Sequence, residues 1–119
     1  MNGCNTIMKL TQELKDQWIA ALKSGKYIQG SSRLRTYTYS GDKFCCLGVL
    51  CDVIDSTGWN WHGDDPQYCY FDNKQYGVSH TWLPENIQME LIKMNDSVYN
   101  KRSFNEIADW IETNIRVEV

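Results

Sequence analysis

Apolar residues recur at three- and four-residue spacing in several parts of this chain, which predicts helices there. The first helix is expected over about residues 12–24, with Thr11 before it as an N-cap and Gly25 after it as a stop. Its inward stripe consists of Leu14, Trp18, Ala21 and Leu22.

Two more helices are predicted toward the C-terminal end. Pro84 fits the first turn of a helix that reaches about Met94, and Asn95 is a suitable left-handed residue to end it. Ser103 and Glu106 form a capping box for the last helix. The apolar stripe of that helix comprises Phe104, Ile107, Ala108, Ile111 and Ile115.

Residues 44–54 are apolar on nearly every side, which indicates a fourth helix that is buried in the core. Asp42 is placed to cap it. Because the run is short and Gly48 interrupts it, a buried strand is the alternative interpretation.

The remaining pattern is that of strands. Residues 26–39 alternate with a period of two around a Gly-Ser-Ser turn at 30–32, and residues 68–71 and 75–79 flank a polar turn. Residues 1–8 are unpatterned and are expected to form a flexible N-terminal extension. We therefore expect one α+β domain over residues 9–119, with about four helices and two short β-hairpins.

Composition places the chain among ordinary globular domains. It has 119 residues, of which 42% are hydrophobic and 23% are charged. Its longest apolar run, residues 44–51, is far shorter than the ~20 residues that span a bilayer, and the N-terminus lacks the pattern of a secretion signal. These features favour a cytoplasmic protein with no membrane partner.

The formal net charge of −3 hides an asymmetry along the chain. Residues 1–43 carry seven Lys or Arg against three acids, a net charge of +4, whereas residues 44–119 carry five against twelve, a net charge of −7. A surface formed by the first part would therefore favour anions, while the acidic remainder argues against binding of duplex DNA.

The five cysteines include the vicinal pair Cys45-Cys46. An odd count without a secretion signal indicates reduced thiols rather than a disulfide framework. The two histidines have no fixed spacing to the thiols, and no zinc-ligand spacing is present. We therefore interpret the cysteines as core residues and predict no catalytic residue, no metal and no cofactor.

The strongest candidate binding face lies on the second predicted strand. Alternate residues of a strand share a face, which places Arg33, Arg35, Tyr37 and Tyr39 together. Guanidinium groups bind phosphates and tyrosine rings stack on bases, so this combination is typical of a nucleotide-binding site. The alternative is a solvent-exposed strand face whose arginines pair with nearby acids.

A second candidate lies on the predicted buried helix. At 100° per residue, Cys45, Gly48, Asp52 and Asp55 share one sector. A glycine inside a helix costs about 1 kcal/mol relative to alanine, which indicates close approach of a neighbouring backbone or of a ligand. If a ligand approaches here, we expect Asp52 to accept its hydrogen bonds.

The third candidate is the connection between the last two predicted helices. Asn95 and Asp96 precede Lys101 and Arg102, and the amide groups of the following helix start could hold an anion beside them. Capping and turn formation explain the same residues without a ligand. A crowded aromatic segment, with Trp59, Trp61, Tyr68 and Tyr70, is typical either of a binding rim or of a cover over a thin core.

Several segments of the chain form a recognisable set. They are W-I-A-A-L-K-S-G-K-Y-I-Q-G at 18–30, C-C-L-G-V-L-C-D at 45–52 and S-F-N-E-I-A-D-W-I-E at 103–112, with Leu34-Arg35, Leu83-Pro84 and Met94-Asn95-Asp96 between them. In this set the chain resembles a family of small, mostly uncharacterised proteins of bacteriophages and prophages. The resemblance implies an accessory phage protein that acts in the cytoplasm of the bacterial host, and it implies no catalytic residue.

These observations favour a non-catalytic protein that binds and neutralises a component of host defence. The preferred ligand is a small phosphorylated or nucleotide-like molecule held by Arg33, Arg35, Tyr37, Tyr39, Asp52, Asn95 and Asp96. Two alternatives stay open: inhibition of a host protein through the aromatic segment at 59–76, and a cysteine- or carboxylate-dependent nucleotide hydrolase. The sequence also leaves open whether the chain forms a homo-oligomer.

Overall fold

The computed structural model describes residues 9–62, 65–71, 78–79 and 81–117. The predicted extension at 1–8 lies outside the described residues. The elements follow the order α1 (Gln12–Lys23), β1 (Ile28–Gln29), β2 (Arg35–Thr36), β3 (Lys43–Phe44), α2 (Cys46–Ile54), β4 (Trp59–His62), β5 (Asp65–Phe71), α3 (Glu85–Asp96) and α4 (Phe104–Asn114). The predicted α+β class with four helices is confirmed.

The two helices with the clearest local capping signals lie where the sequence predicts them. Thr11 accepts a hydrogen bond from Leu14 N–H at the start of α1, and Gly25 follows the helix with φ of +78°. Ser103 and Glu106 form the expected capping box of α4. The two helices pack together, and the buried Lys15 of α1 donates to the Ile115 carbonyl at the end of α4 at 2.6 Å.

Helix α2 is the centre of the core, and every residue from Cys46 to Cys51 is buried. It begins later than predicted because Phe44 belongs to strand β3. The prediction that Asp42 caps this helix is wrong: the Cys45 thiol accepts from Gly48 N–H at 3.4 Å, whereas Asp42 pairs with Arg35.

Helix α3 extends further than predicted. It starts after Pro84 and continues through Asn95 to Asp96. The prediction that Asn95 ends the helix in a left-handed conformation is wrong, because this residue lies inside the helix and is fully buried.

The five strands form one mixed sheet in the order β1-β3-β2-β5-β4. The first predicted hairpin is wrong in its pairing, because β3 lies between β1 and β2, parallel to the first and antiparallel to the second. The chain turns back after β2, and β3 pairs with both β2 and the more distant β1, which alternation alone does not reveal.

The second predicted hairpin is displaced along the chain. Residues 68–71 do form part of β5, but their hairpin partner is the preceding strand β4. Of the expected partner at 75–79, residues 75–77 lie outside the described residues, and Val78 and Ser79 are not in a strand. In the described part of the chain, no helix is long and apolar enough to cross a membrane.

Candidate functional site

Three exposed aromatic rings lie side by side on the sheet and the segment that follows β2. Tyr37 contacts Trp61 edge to face with ring centroids 6.5 Å apart, and it contacts Tyr39 at 6.3 Å. The exposed fractions are 41% for Tyr37, 102% for Tyr39 and 45% for Trp61. We call these three residues the aromatic surface.

Strand pairing explains how residues so far apart in the sequence meet. Trp61 of β4 lies opposite Cys69 of β5, and Cys69 lies opposite Arg35 of β2. Directly opposed residues point to the same face of a sheet, so Trp61 and Arg35 share a face. Tyr37 lies two residues after Arg35, and its ring contacts Trp61.

Arg35 is held tightly beneath the aromatic surface. Its Nε and Nη2 atoms donate to one Asp42 carboxylate oxygen at 2.7 and 2.6 Å. The guanidinium carbon also lies 5.1 Å from the ring centroid of Phe44 and 5.3 Å from those of Trp59 and Trp61. These distances are typical of cation–π contacts. Arg35 therefore has a carboxylate partner and three rings before any ligand arrives.

The other members of the predicted strand face differ in environment. Arg33 is half-buried and has an interaction partner of its own. Tyr39 projects almost entirely into solvent. The structure thus brings Arg35 and the two tyrosines together with Trp61, which the sequence assigns to a separate segment. Tyr68 belongs to the same predicted aromatic segment as Trp61, and its side chain lies outside the part of the chain that the structure describes.

Asp52 of α2 is engaged within the protein. Its two carboxylate oxygens accept hydrogen bonds from the Tyr27 hydroxyl at 2.6 Å and from the Trp59 indole N–H at 2.9 Å. Burial, together with the Asp52 carboxylate, raises the pKa of Tyr27 to about 12, so the hydroxyl stays protonated and keeps donating at neutral pH. Asp52 therefore joins α2 to β4, the strand that carries Trp61 of the aromatic surface.

The position of Gly48 on the same helix is filled by backbone. A Cβ atom there would lie 1.8 Å from the Leu34 carbonyl oxygen, which also accepts a hydrogen bond from Cys45 N–H. Of the two predicted reasons for a glycine, the structure shows the close approach of a neighbouring backbone.

Asn95 is a fully buried hydrogen-bonding centre. Its side-chain oxygen accepts from Cys46 N–H at 3.2 Å and from the Gln29 amide at 3.0 Å. Its side-chain nitrogen donates to the Gly30 carbonyl and to Asp96, each at 2.7 Å. These bonds join α3 to the start of α2 and to the segment after β1.

Asp96 lies at the surface end of this network and lines a groove of about 480 Å³. The side of the groove formed by Ile92 and Met94 is apolar, and Arg102 lies at the same groove. Asp96 and Arg102 of the third predicted candidate thus line the same groove, and the binding of an anion there stays a prediction. The start of α4, by contrast, is already occupied, since the Glu106 carboxylate accepts from Ser103 N–H.

The described cysteines are buried and free. Burial raises the pKa of Cys45 to about 12 and holds the pKa values of Cys46 and Cys51 well above the usual range. Because the thiolate is the reactive form, these thiols are poorly suited to nucleophilic catalysis. Among the described residues, no cluster of three or more His, Cys, Asp or Glu side chains is arranged to hold a metal ion.

The sequence missed the contact between Tyr37 and Trp61, which is the basis of the aromatic surface. The only available signal was the density of aromatic residues at 37–39 and 59–61. Nothing in either segment indicates that β5 pairs with both β2 and β4 and so brings the rings together.

Comparison with known proteins adds one result. A family model described as a domain of unknown function (DUF8296) matches residues 10–88, about two thirds of the chain. The matched range includes the aromatic surface, Arg35 and Asp52, whereas Asn95 and every residue that lines the groove lie beyond it. No curated protein and no solved structure matches the chain.

Proposed function

We propose that this chain, which belongs to the DUF8296 family, is a non-catalytic accessory protein that binds and neutralises a protein of the bacterial host through its aromatic surface. The origin in a bacteriophage or prophage rests on the resemblance of its sequence segments. The observation that carries the binding role is the row of three exposed rings, Tyr37, Tyr39 and Trp61.

The size of this surface supports a macromolecular partner. Fully exposed aromatic side chains offer about 150–250 Å² each, so the exposed parts of the three rings amount to roughly 400 Å². A standard protein interface buries about 800 Å² on each partner, with its aromatic contacts near the centre. The aromatic surface therefore has the size of the central part of such an interface.

The support beneath the rings favours binding without reorganisation. Trp61 is fixed on a paired strand and lies over Arg35, which Asp42 holds in place. Tyrosine and tryptophan lose little conformational entropy on binding because they have only two side-chain torsions. An aromatic row in which Trp61 is held in this way is suited to tight association.

The charges of the site favour a protein over the small phosphorylated ligand preferred from the sequence. A phosphate at the strand face needs an available cation, but Arg35 already binds Asp42 and Arg33 also has a partner. Removing Arg35 from Asp42 would leave a half-buried carboxylate without its ion pair. The alternative hydrolase is disfavoured by the raised pKa of the described thiols and by the two hydrogen bonds to Asp52.

The test is co-purification of the tagged chain from host bacteria, followed by calorimetry with each recovered protein. The variant Tyr37→Ser/Tyr39→Ser removes two of the three rings, and Tyr99→Ser is the matched control because Tyr99 is a remote tyrosine with an exposed fraction of 93%. We expect a host protein that binds the wild type and the control equally and the double variant at least tenfold more weakly. Equal binding by all three proteins would contradict the proposal.

A further inference from the structure

We propose that the groove at the end of α3 binds a small molecule that carries an anionic group and a hydroxyl or amine donor on an apolar frame. This site shares no residue with the aromatic surface, and all its lining residues lie outside the family match at 10–88. Its binding role therefore stands or falls independently of the proposed partner protein.

The volume and the lining of the groove indicate the size and the apolar character of the ligand's frame. Its volume of about 480 Å³ lies within the range of small-molecule sites, which runs from about 300 to 1,000 Å³. Ile92 and Met94 supply apolar lining. A flat ring or short hydrocarbon frame covers such a surface and excludes water from it.

Arg102 supplies the group for the anion. Its backbone is fixed on both sides: its N–H donates to the Met94 carbonyl at 2.8 Å, and its carbonyl accepts from the Gln29 amide at 2.8 Å. Its guanidinium, in contrast, makes no hydrogen bond or ion pair within the described part of the chain. Lys93 adds a second positive charge at the groove and has only a long contact of 3.8 Å with Glu90. A guanidinium with free donors on a backbone that is held in place is suited to a carboxylate or phosphate.

Asp96 supplies the acceptor for the ligand's donor group. One carboxylate oxygen, Oδ1, accepts from the buried Asn95 amide at 2.7 Å, which holds the carboxylate in place. No described residue donates to the other oxygen, Oδ2. Arg102 and Asp96 both line the groove but do not form an ion pair. A ligand with both an anion and a donor satisfies the two groups together.

The test uses 4-hydroxyphenylacetate as the probe and follows backbone amide signals by NMR titration. We expect saturable shifts at Ser97, Asn100 and Arg102, which lie at the groove. Two analogues separate the contributions: 4-hydroxyphenylacetamide removes the anion, and phenylacetate removes the hydroxyl donor. Each analogue is expected to bind several-fold more weakly, and the amide by at least tenfold.

Three variants complete the test. Arg102→Met is expected to weaken binding of the probe at least tenfold, while Arg116→Met, which removes an exposed arginine that does not line the groove, leaves binding unchanged. Tyr99→Ser also leaves it unchanged, because Tyr99 is exposed but is not part of the lining. No saturable shift at millimolar probe, equal binding of the neutral amide, or equal binding by Arg102→Met would overturn the proposal.

Discussion

Replacement of Gly48 by alanine is expected to destabilise the protein strongly, because this position is where α2 meets the segment leading into β2. The new Cβ atom would lie 1.8 Å from the Leu34 carbonyl oxygen and 2.7 Å from its carbonyl carbon. Both are backbone atoms, so no change of side-chain rotamer relieves the overlap. The same carbonyl accepts a hydrogen bond from Cys45 N–H at 3.2 Å.

The magnitude follows from this geometry. Restoring an ordinary carbon–oxygen separation of about 3.3 Å requires α2 and Leu34 to move apart by about 1.5 Å. Such overpacking costs about 1–3 kcal/mol, and a broken buried hydrogen bond costs about 1–3 kcal/mol more. The better helix propensity of alanine offsets about 1 kcal/mol. We expect a net loss of about 3 kcal/mol, a large part of the ~5–15 kcal/mol that stabilises a domain.

Urea unfolding monitored by tryptophan fluorescence measures this loss. Gly25→Ala is the matched control, because Gly25 has φ of +78° and no atom within 4 Å of the added Cβ. Its cost should come only from backbone conformation and amount to about 1–2 kcal/mol. If Gly48→Ala proves no more destabilising than Gly25→Ala, the close approach of Leu34 to α2 is refuted.

Three further predictions concern stability and protonation. Asn95→Leu is expected to lower the free energy of unfolding by about 3 kcal/mol, because buried backbone groups lose their partner; a change near zero would contradict the network. Arg35→Met leaves Asp42 unpaired and is expected to lower the free energy of unfolding by about 2 kcal/mol. It should also shift the Trp61 indole signal in NMR spectra, and an unmoved signal would argue against the contact between the guanidinium and the ring. Burial raises the pKa of Cys45 to about 12 and also raises the pKa of Cys51. Just above pH 9 these thiols therefore ionise in the unfolded chain but stay protonated in the folded protein. The free energy of unfolding should therefore fall as the pH rises above 9, by up to about 1.4 kcal/mol per thiol and pH unit, and less steeply in Cys51→Ala; identical slopes would count against this linkage.

Local signals in the sequence were sufficient to locate α1 and α4. The capping box at Ser103 and the cap at Thr11 act within one turn of the chain, so each could be recognised without knowledge of the fold. Asp42 and Asn95 show where local interpretation fails. Each has the residue type of a cap, but Asp42 binds Arg35, and Asn95 joins α3 to two distant segments, at residues 29–30 and at Cys46.

The sheet and the candidate site depended on contacts that local patterns do not encode. Strand β3 separates β1 from β2, and β5 joins β2 to β4, so the pairing partners are set by packing of the whole domain. The predicted basic face is changed by the same long-range contacts. Arg35 meets the rings of two tryptophans, and Tyr37 gains Trp61 as a neighbour. The charge asymmetry of the sequence does not reveal that Arg35 has these partners, and the preference of this face for anions stays a prediction.

Site-specific photo-crosslinking tests the central claim most directly, because it asks whether the aromatic surface touches a partner in the cell. Two variants are compared, in which photoreactive benzoyl-phenylalanine replaces either Tyr39 or Tyr99. Both tyrosines are almost fully exposed, and they lie at different places on the surface. We predict one discrete adduct with a host protein at position 39, lost when Tyr37 and Trp61 are both changed to serine, and no such adduct at position 99. The absence of an adduct at position 39, or the same adduct at both positions, would contradict the proposed binding role.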